Sequence, residues 1–167
     1  GDPHILDVDG NYKYNNDDKV FQGNTTPKVR WNMRNEFTIF KNFDFSFSMY
    51  SYLGHIKTMG RFTNNNALLN TTNQIKREYW TPENPINDYP RLSAKSPSGI
   101  GYSIYKHASF LRIDNVSFGY TFPKNMIKPL KLEALRLNLT VKNLGYLTGW
   151  PAWDPENSDS NTPRTVT

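Results

Sequence analysis

The chain has 167 residues, of which 37% are hydrophobic, 14% aromatic and 21% charged, with no cysteine and a formal net charge of +5. This composition excludes a disulfide framework and a cysteine-ligated metal. No run approaches the ~18–20 apolar residues that a membrane helix needs. The positive charges are spread along the chain, so the sequence does not predict a partnership with nucleic acid.

An acidic loop near the N-terminus has the spacing of a calcium-binding loop. Positions one, three, five, seven, nine and twelve of that loop are Asp7, Asp9, Asn11, Lys13, Asn15 and Asp18. The predicted oxygen ligands are the side chains of Asp7, Asp9, Asn11 and Asp18 and the Lys13 carbonyl. Tyr12 occupies the sixth position, where a glycine is preferred, so it must either adopt a positive φ or shift the turn. The pattern predicts Ca²⁺ in the 7–18 loop, and the alternative is an ordinary Asn/Asp-rich turn.

Two neighbouring segments alternate apolar and polar residues with a period of two, which is typical of strands. The first runs from Lys28 to Phe40 and the second from Phe43 to Tyr50, joined by a tight connection at Lys41-Asn42. One parity carries the apolar residues, which are Val29, Trp31, Met33, Phe37, Ile39, Phe43, Phe45, Phe47 and Met49. The pattern therefore predicts a hairpin with one apolar and one polar face.

Two further segments show the same alternation later in the chain. The third runs from Asn115 to Phe122 and the fourth from Leu135 to Lys142. We expect the large apolar side chains to share one face (Phe45, Phe47, Phe118, Leu137 and Leu139), and the small polar ones to share the other (Ser46, Ser48, Ser117, Asn138 and Thr140).

The connections between these strands alternate between short and long. Lys41-Asn42 and 123–131 are short, whereas 1–27, 54–108 and 145–163 are long. Long structureless loops are uncommon in compact soluble domains, but outer-membrane barrels combine short periplasmic turns with long extracellular loops. The sequence thus favours antiparallel strands of a transmembrane β-barrel, and a soluble or surface-attached β-sandwich that binds glycan remains the alternative.

Five aromatic residues in the long loops are candidates for contact with a substrate or with a partner that covers the barrel. They are Tyr79, Trp80, Tyr89, Trp150 and Trp153. The alternative is that their rings only pack the loops together. No Ser/His/acid or Cys/His arrangement points to nucleophilic catalysis, so we predict that the protein is not an enzyme.

The two ends predict a fragment of a longer polypeptide. Gly1-Asp2-Pro3 looks like the middle of a loop, and Arg164 to Thr167 looks like the opening of a strand. Four strands cannot close a barrel, which takes about eight at minimum. We therefore expect the chain to pair with the remainder of the same barrel, because open edges are not tolerated in lipid.

A collinear series of motifs resembles the C-terminal part of SusC-like TonB-dependent outer-membrane transporters of Bacteroidetes. The series comprises Gly1-Asp2-Pro3, Asp7-Val8-Asp9-Gly10-Asn11, Gly23-Asn24 with Pro27-Lys28, Phe40-Lys41-Asn42-Phe43-Asp44-Phe45-Ser46, Trp80-Thr81-Pro82-Glu83-Asn84-Pro85, Pro90-Arg91, the residues 108–123, Asn143-Leu144, Asp154-Pro155-Glu156 and Pro163-Arg164-Thr165. These motifs are spread over nearly the whole chain, which makes the resemblance specific.

The resemblance implies a large barrel of about 22 strands around a plugged lumen. Residues 1–167 would be its C-terminal fragment, without the plug and the N-terminal strands. It also implies an outer-membrane location in contact with lipid, active import of oligosaccharides or peptides, a SusD-like lipoprotein lid, and energy from TonB through the absent plug. No cofactor other than the Ca²⁺ of the 7–18 loop is expected.

Overall fold

The computed structural model describes residues 1–59, 78–91, 94, 103–157 and 161–167. These residues divide into two compact units, one made of Gly1–Gly23 with Lys57–Lys106 and the other of Asn24–Ile56 with His107–Thr167. The predicted long connection from 54 to 108 lies partly outside the described residues.

The second unit is built on a five-stranded antiparallel sheet in the order β1-β2-β5-β6-β7. Its strands are β1 (Val29–Ile39), β2 (Phe43–Leu53), β5 (Phe110–Thr121), β6 (Arg136–Thr148) and β7 (Thr165–Val166). The all-β antiparallel fold that the alternation predicts is confirmed. The predicted start of a strand at the C-terminus is also confirmed, because β7 pairs with β6 through Val141 and Lys142.

The register places apolar residues of successive strands side by side. Phe45 lies opposite Phe118, and Phe118 lies opposite Leu139, while the rings of Phe45 and Phe118 are 4.9 Å apart. Much of this apolar face is exposed, with Phe118 at 54% and Leu137 at 60%, whereas Phe45 and Phe47 at its centre are half-buried. The opposite, polar face carries the row Ser46, Ser117 and Thr140. The predicted division of side chains between two faces is therefore confirmed.

A β-bulge shifts the phase of β5 half-way along the sheet. Ser48 pairs with Asn115 and Met49 with Ile113, so Asp114 is an extra residue. Because side chains alternate with a period of two, one extra residue moves everything beyond it to the opposite face. Beyond the bulge Ile113 therefore lies in the row of Met49, on the apolar face, and Arg112 lies in the row of Tyr50, on the polar face.

Three of the four strands extend further toward the long loops than the alternation predicts. The second, third and fourth strands were expected over 43–50, 115–122 and 135–142, and the structure has 43–53, 110–121 and 136–148. The third strand was cut short because the bulge interrupts its alternation. The first strand agrees within a residue at each end.

The connections at one end of the sheet are short. The β1–β2 turn contains Phe40 and Lys41 with φ of 51° and 66°, a conformation that suits tight hairpins. Between β5 and β6 lie a helical turn, α1 (Lys124–Ile127), and a 3₁₀ turn, η2 (Lys128–Leu130). Along the described ranges, no helix is long and apolar enough to cross a membrane.

The remaining elements are short. β3 (Ile56–Thr58) and β4 (Tyr105–His107) form a separate two-stranded sheet. In the first unit a 3₁₀ turn, η1 (Asn16–Asp18), is capped by the Asn15 side chain. Most of the described backbone of this unit lies outside helices and strands.

Candidate functional site

Three carboxylates of the N-terminal loop converge as the calcium pattern predicts. Asp7, Asp9 and Asp18 each bring one oxygen within 4.8 Å of the others. Asp18 is held there because its two oxygens accept hydrogen bonds from the backbone N–H groups of Val8 at 2.8 Å and Asn15 at 2.9 Å. A cluster of this kind offers the hard oxygen ligands that Ca²⁺ prefers.

The sixth position of the loop accommodates its tyrosine through a strained backbone. Tyr12 adopts a φ of 58°, and its N–H donates to Asp7 Oδ2 at 2.8 Å, while the Gly10 N–H donates to Asp7 Oδ1 at 2.8 Å. The Tyr12 hydrogen bond, helped by that of Gly10, holds the pKa of Asp7 below its ordinary value of 3.8 although slight desolvation opposes this. Asp7 is therefore a carboxylate at neutral pH, as a metal ligand must be.

Asn11 and Lys13, the other predicted ligands, are connected by a hydrogen bond. Asn11 Oδ1 accepts a hydrogen bond from the Lys13 N–H at 2.7 Å, and Asn11 Nδ2 donates to Asp9 at 2.6 Å. These bonds order the loop, and the binding of an ion by the five residues stays a prediction.

The predicted aromatic residues fall in both units. In the first unit the backbones of Trp80 and Tyr89 are joined by a hydrogen bond of 3.2 Å, and both side chains line a cleft together with His4 and Asp88. The Lys106 ammonium lies 5.6 Å from the centre of the Tyr89 ring and 2.8 Å from Asp88. Two of the five predicted residues are thus brought together, beside charged groups.

The other three aromatic residues differ in exposure. Tyr79 is half-buried in the first unit. In the second unit Trp153 is also half-buried, whereas Trp150 is 5% exposed. Little of the Trp150 ring is therefore open to a ligand, and contact of these residues with a substrate or a lid stays a prediction.

A buried ion pair, which the sequence did not single out, lies on the polar face of the sheet. Arg112 of β5 donates to Asp154 at 2.5 Å, and the two side chains are 3% and 0% exposed. Arg112 also donates to Asn143 at 2.5 Å, and its guanidinium lies 5.2 Å from the centre of the Tyr146 ring. A buried charge needs such partners, because an unpaired one is strongly destabilising.

The Asp154 carboxylate is satisfied from several directions at once. Besides Arg112, it accepts hydrogen bonds from the Thr162 hydroxyl at 2.6 Å and from the backbone N–H of Glu156 at 2.9 Å. Burial raises the pKa of Asp154, but these hydrogen bonds outweigh burial and hold it well below its ordinary value of 3.8. The ionised pair therefore fastens the loop after β6 to the polar face of the sheet.

Sequence reasoning missed this pair for identifiable reasons. Arg112 and Asp154 are 42 residues apart, and neither forms a motif with its neighbours that implies the other. One indication was available, because an arginine at position 112 breaks the apolar parity of residues 116, 118 and 120.

Comparisons with known proteins complete the description of the chain. No protein-family model matches it. It is 29% identical over 158 residues to TonB-dependent receptor P3 of Formosa agariphila, covering 94% of this chain and 16% of that protein. It is 28% identical over 169 residues to TonB-dependent receptor SusC of Bacteroides thetaiotaomicron, covering 98% of this chain and 16% of that protein. The chain thus spans about a sixth of the length of these curated relatives.

Solved structures of the RagAB peptide importer are similar in fold. The closed-closed state aligns with a TM-score of 0.64 over 99% of this chain and 20% of that chain, and the open-open state with 0.61 over 98% and 18%, both at 22% identity. The fold of this chain is therefore similar to that of one part of these larger importer chains. The names of the relatives also confirm the prediction that the chain is not an enzyme.

Proposed function

We propose, from the premise that the chain is a segment of a SusC-like TonB-dependent receptor, that it forms the C-terminal wall of a large outer-membrane barrel for active nutrient import. The observation that carries the proposal is the chain-long similarity to such receptors. The five-stranded sheet suits this role, because it has one largely exposed apolar face and one polar face.

The strand dimensions fit a membrane crossing. The four long strands have 11 to 13 residues. At about 3.3 Å per residue and a tilt of about 45°, eleven residues rise roughly 25 Å, which is the height of the apolar band of such barrels. The face that carries Phe118 and Leu139 would contact lipid, and the face that carries Ser117 and Thr140 would line the lumen.

The edges of the sheet imply partner strands in the same polypeptide. Within the described residues, β1 pairs on one side only, with β2, and β7 pairs with β6. Unpaired backbone groups are costly in hydrocarbon, so the remainder of the same barrel would pair with both edges. The long loops then lie at the extracellular end, and the short connections at Phe40–Asn42 and 122–135 at the periplasmic end.

The proposed partners follow from the receptor class. A SusD-like lipoprotein would cover the extracellular mouth, and TonB would supply energy through a plug from another part of the polypeptide. The transported nutrient would be an oligosaccharide or a peptide, and the importer with a similar fold is named for peptides. Trp80 and Tyr89, which line one cleft of the first unit, are the strongest candidates for contact with nutrient or lid.

Uptake by cells tests the proposal. The full-length receptor, together with the lipoprotein encoded beside it, is restored to a deletion strain, and uptake of oligosaccharides and of peptides is measured with and without TonB. We expect the receptor in the outer-membrane fraction and uptake that disappears without TonB. A receptor recovered in soluble form without detergent would instead support the β-sandwich alternative.

A further inference from the structure

A groove opens on the polar face of the second unit, near the loop end of the sheet. It lies between the first two strands and the loop after β6, and its lining residues are Arg30, Trp31, Asn32, Tyr50, Tyr52 and Glu156. Toward the short connections the same face carries small polar groups such as Ser46 and Ser117, and the ion pairs Arg34–Glu36 and Arg136–Asp44. The groove therefore differs from the rest of the face by its tyrosine rings, which lie beside charged groups, and this combination calls for a functional explanation.

The rings of the groove are arranged as a connected wall. The centres of Tyr50 and Tyr52 are 5.5 Å apart, and Tyr52 lies 5.2 Å from Phe110, which is 2% exposed. The Arg30 guanidinium lies over Tyr52 at 5.1 Å from the ring centre. These contacts restrict the side chains before any ligand arrives, and such pre-organisation lowers the entropic cost of binding.

The acidic group of the groove is held by the buried ion pair. Glu156 accepts a hydrogen bond from the Tyr50 hydroxyl at 2.5 Å and lies 3.4 Å from Arg112 Nε. Its backbone N–H donates to Asp154 at 2.9 Å, and its side chain is 40% exposed. The Arg112–Asp154 pair thus positions a solvent-accessible carboxylate beside two tyrosines.

We propose that this groove is a contact site for a neutral, hydroxyl-rich chain, that is, a segment of a neutral oligosaccharide. The proposal rests on the proposed function, which makes this face luminal. Two guanidinium groups, Arg30 and Arg112, are matched in number by the carboxylates of Glu156 and Asp154, so the groove favours a ligand without net charge.

The hydrogen-bonding groups match the same ligand. A carboxylate only accepts, a guanidinium only donates, and an amide or a phenol does both. Sugar hydroxyl groups are donors and acceptors on neighbouring carbons, so one residue of a saccharide can satisfy groups of both kinds. The tyrosine rings add flat apolar surface for the C–H faces of the sugar.

A peptide fits this groove less well. Extended peptides are commonly bound by adding a strand to an open sheet edge, where main-chain hydrogen bonds supply the affinity. In a closed barrel the outer edge of β1 is occupied by the neighbouring strand. The groove therefore offers side-chain groups and no free strand edge.

Binding measurements on the full-length receptor with its lipoprotein, in detergent, test the proposal. The probes are neutral linear hexasaccharides of glucose, mannose and xylose, and a capped neutral hexapeptide of alternating serine and alanine. We expect at least one hexasaccharide to bind, and Arg30→Ala, Tyr52→Ala and Glu156→Gln each to weaken that binding by about tenfold or more.

A matched control lies on the same strand and the same face. Arg34 follows Arg30 by two repeats of the alternation, pairs with Glu36, and does not line the groove. Arg34→Ala should leave saccharide affinity within about twofold of the parent. Loss of affinity in Arg30→Ala and Arg34→Ala alike would indicate a general charge effect and overturn the assignment.

Three other results would also overturn it. They are no binding of any hexasaccharide, saccharide binding unchanged in all three groove variants, and binding of the hexapeptide alone with loss in Arg30→Ala. The proposed import function is judged separately, because TonB-dependent uptake that survives in the groove variants would leave import standing while the groove assignment fails.

Discussion

Two arginine–aspartate pairs lie on the polar face of the same sheet, one near each end, and their surroundings differ completely. Arg112 and Asp154 are 3% and 0% exposed at the loop end, whereas Arg136 and Asp44 are 51% and 38% exposed at the short-turn end. The distances are similar, at 2.5 and 2.8 Å. The two pairs thus have the same chemistry, and their burial determines how much stability is lost when each pair is broken.

The difference teaches how this sheet uses its polar face. At the loop end the chain after β6 folds over the sheet, so that Phe110, Arg112 and Trp150 are buried. At the other end Asp44 and Arg136 line an open cleft with Ser117 and Asn138. One half of the face is therefore a small core under a fastened loop, and the other half stays open.

The largest expected effect comes from breaking the buried pair. Asp154→Ala leaves the Arg112 charge buried without its main partner, which typically costs about 3–5 kcal/mol. We expect the loop after β6 to detach, measured as faster amide hydrogen exchange over residues 149–157 of the full-length receptor. Asp44→Ala is the matched control and should cost less than about 1 kcal/mol. Similar effects of the two changes would refute the contrast between the two ends.

The second prediction concerns the two faces rather than the two ends. Phe47→Arg, near the middle of β2 on the apolar face, should destabilise the assembled barrel by roughly 2–4 kcal/mol if that face meets lipid. Ser48→Arg, one residue further on the polar face, should cost far less because Asp114, which already bonds Ser48, lies beside it. The measurement is urea unfolding of the receptor in lipid vesicles, and equal losses would place both residues outside lipid.

The third prediction extends the comparison to carboxylates that are held by backbone N–H groups instead of by arginine. If the 7–18 loop binds Ca²⁺, Asp7→Ala should weaken Ca²⁺ affinity by at least about tenfold, because it removes one charged ligand. Calcium titration by calorimetry on the full-length receptor measures this, with Asp88→Ala as an acidic control outside the loop. No heat of binding in the parent receptor would return the loop to an ordinary Asn/Asp turn.

The smallest expected effect concerns pH, because we expect the protection of the loop after β6 to be the same at pH 7 and at pH 4. The pKa of Asp154 lies well below 3.8 in the folded protein, so its stabilising contribution is complete above pH 3.8 and is lost only as the pH falls through that lower value. Hydrogen exchange over residues 149–157, corrected for its intrinsic pH dependence, should therefore show equal protection at pH 7 and at pH 4. Loss of protection by pH 4 would mean that Asp154 titrates like an exposed carboxylate.

Local alternation sufficed to predict the strands and their two faces, because a period of two is a property of neighbouring residues. Phe45, Phe118 and Leu139 were assigned to one face before their pairing was known, and the register places them in one row. The spacing of Asp7, Asp9 and Asp18 likewise predicted that their carboxylates converge. In each case the relevant information lies within a short stretch of chain.

The Arg112–Asp154 pair and the groove could not be predicted in the same way. Arg112 reaches the polar face only because of the bulge at Asp114, and Tyr50 meets Glu156 across 106 residues of sequence. Such contacts depend on how a loop folds back over the sheet. Alternation carries no information about that path.

The extra residue at Asp114 has a consequence for how this segment can change in evolution. Deleting it would join Ile113 directly to Asn115 and give a regular strand, in which Ile113 keeps the apolar side and Arg112 keeps the polar side. The loss of this one residue is thus compatible with the present division of side chains between the two faces. Related chains should therefore vary in length at this point more readily than elsewhere in the strand, and a one-residue gap there would mark a relative whose strand has no bulge.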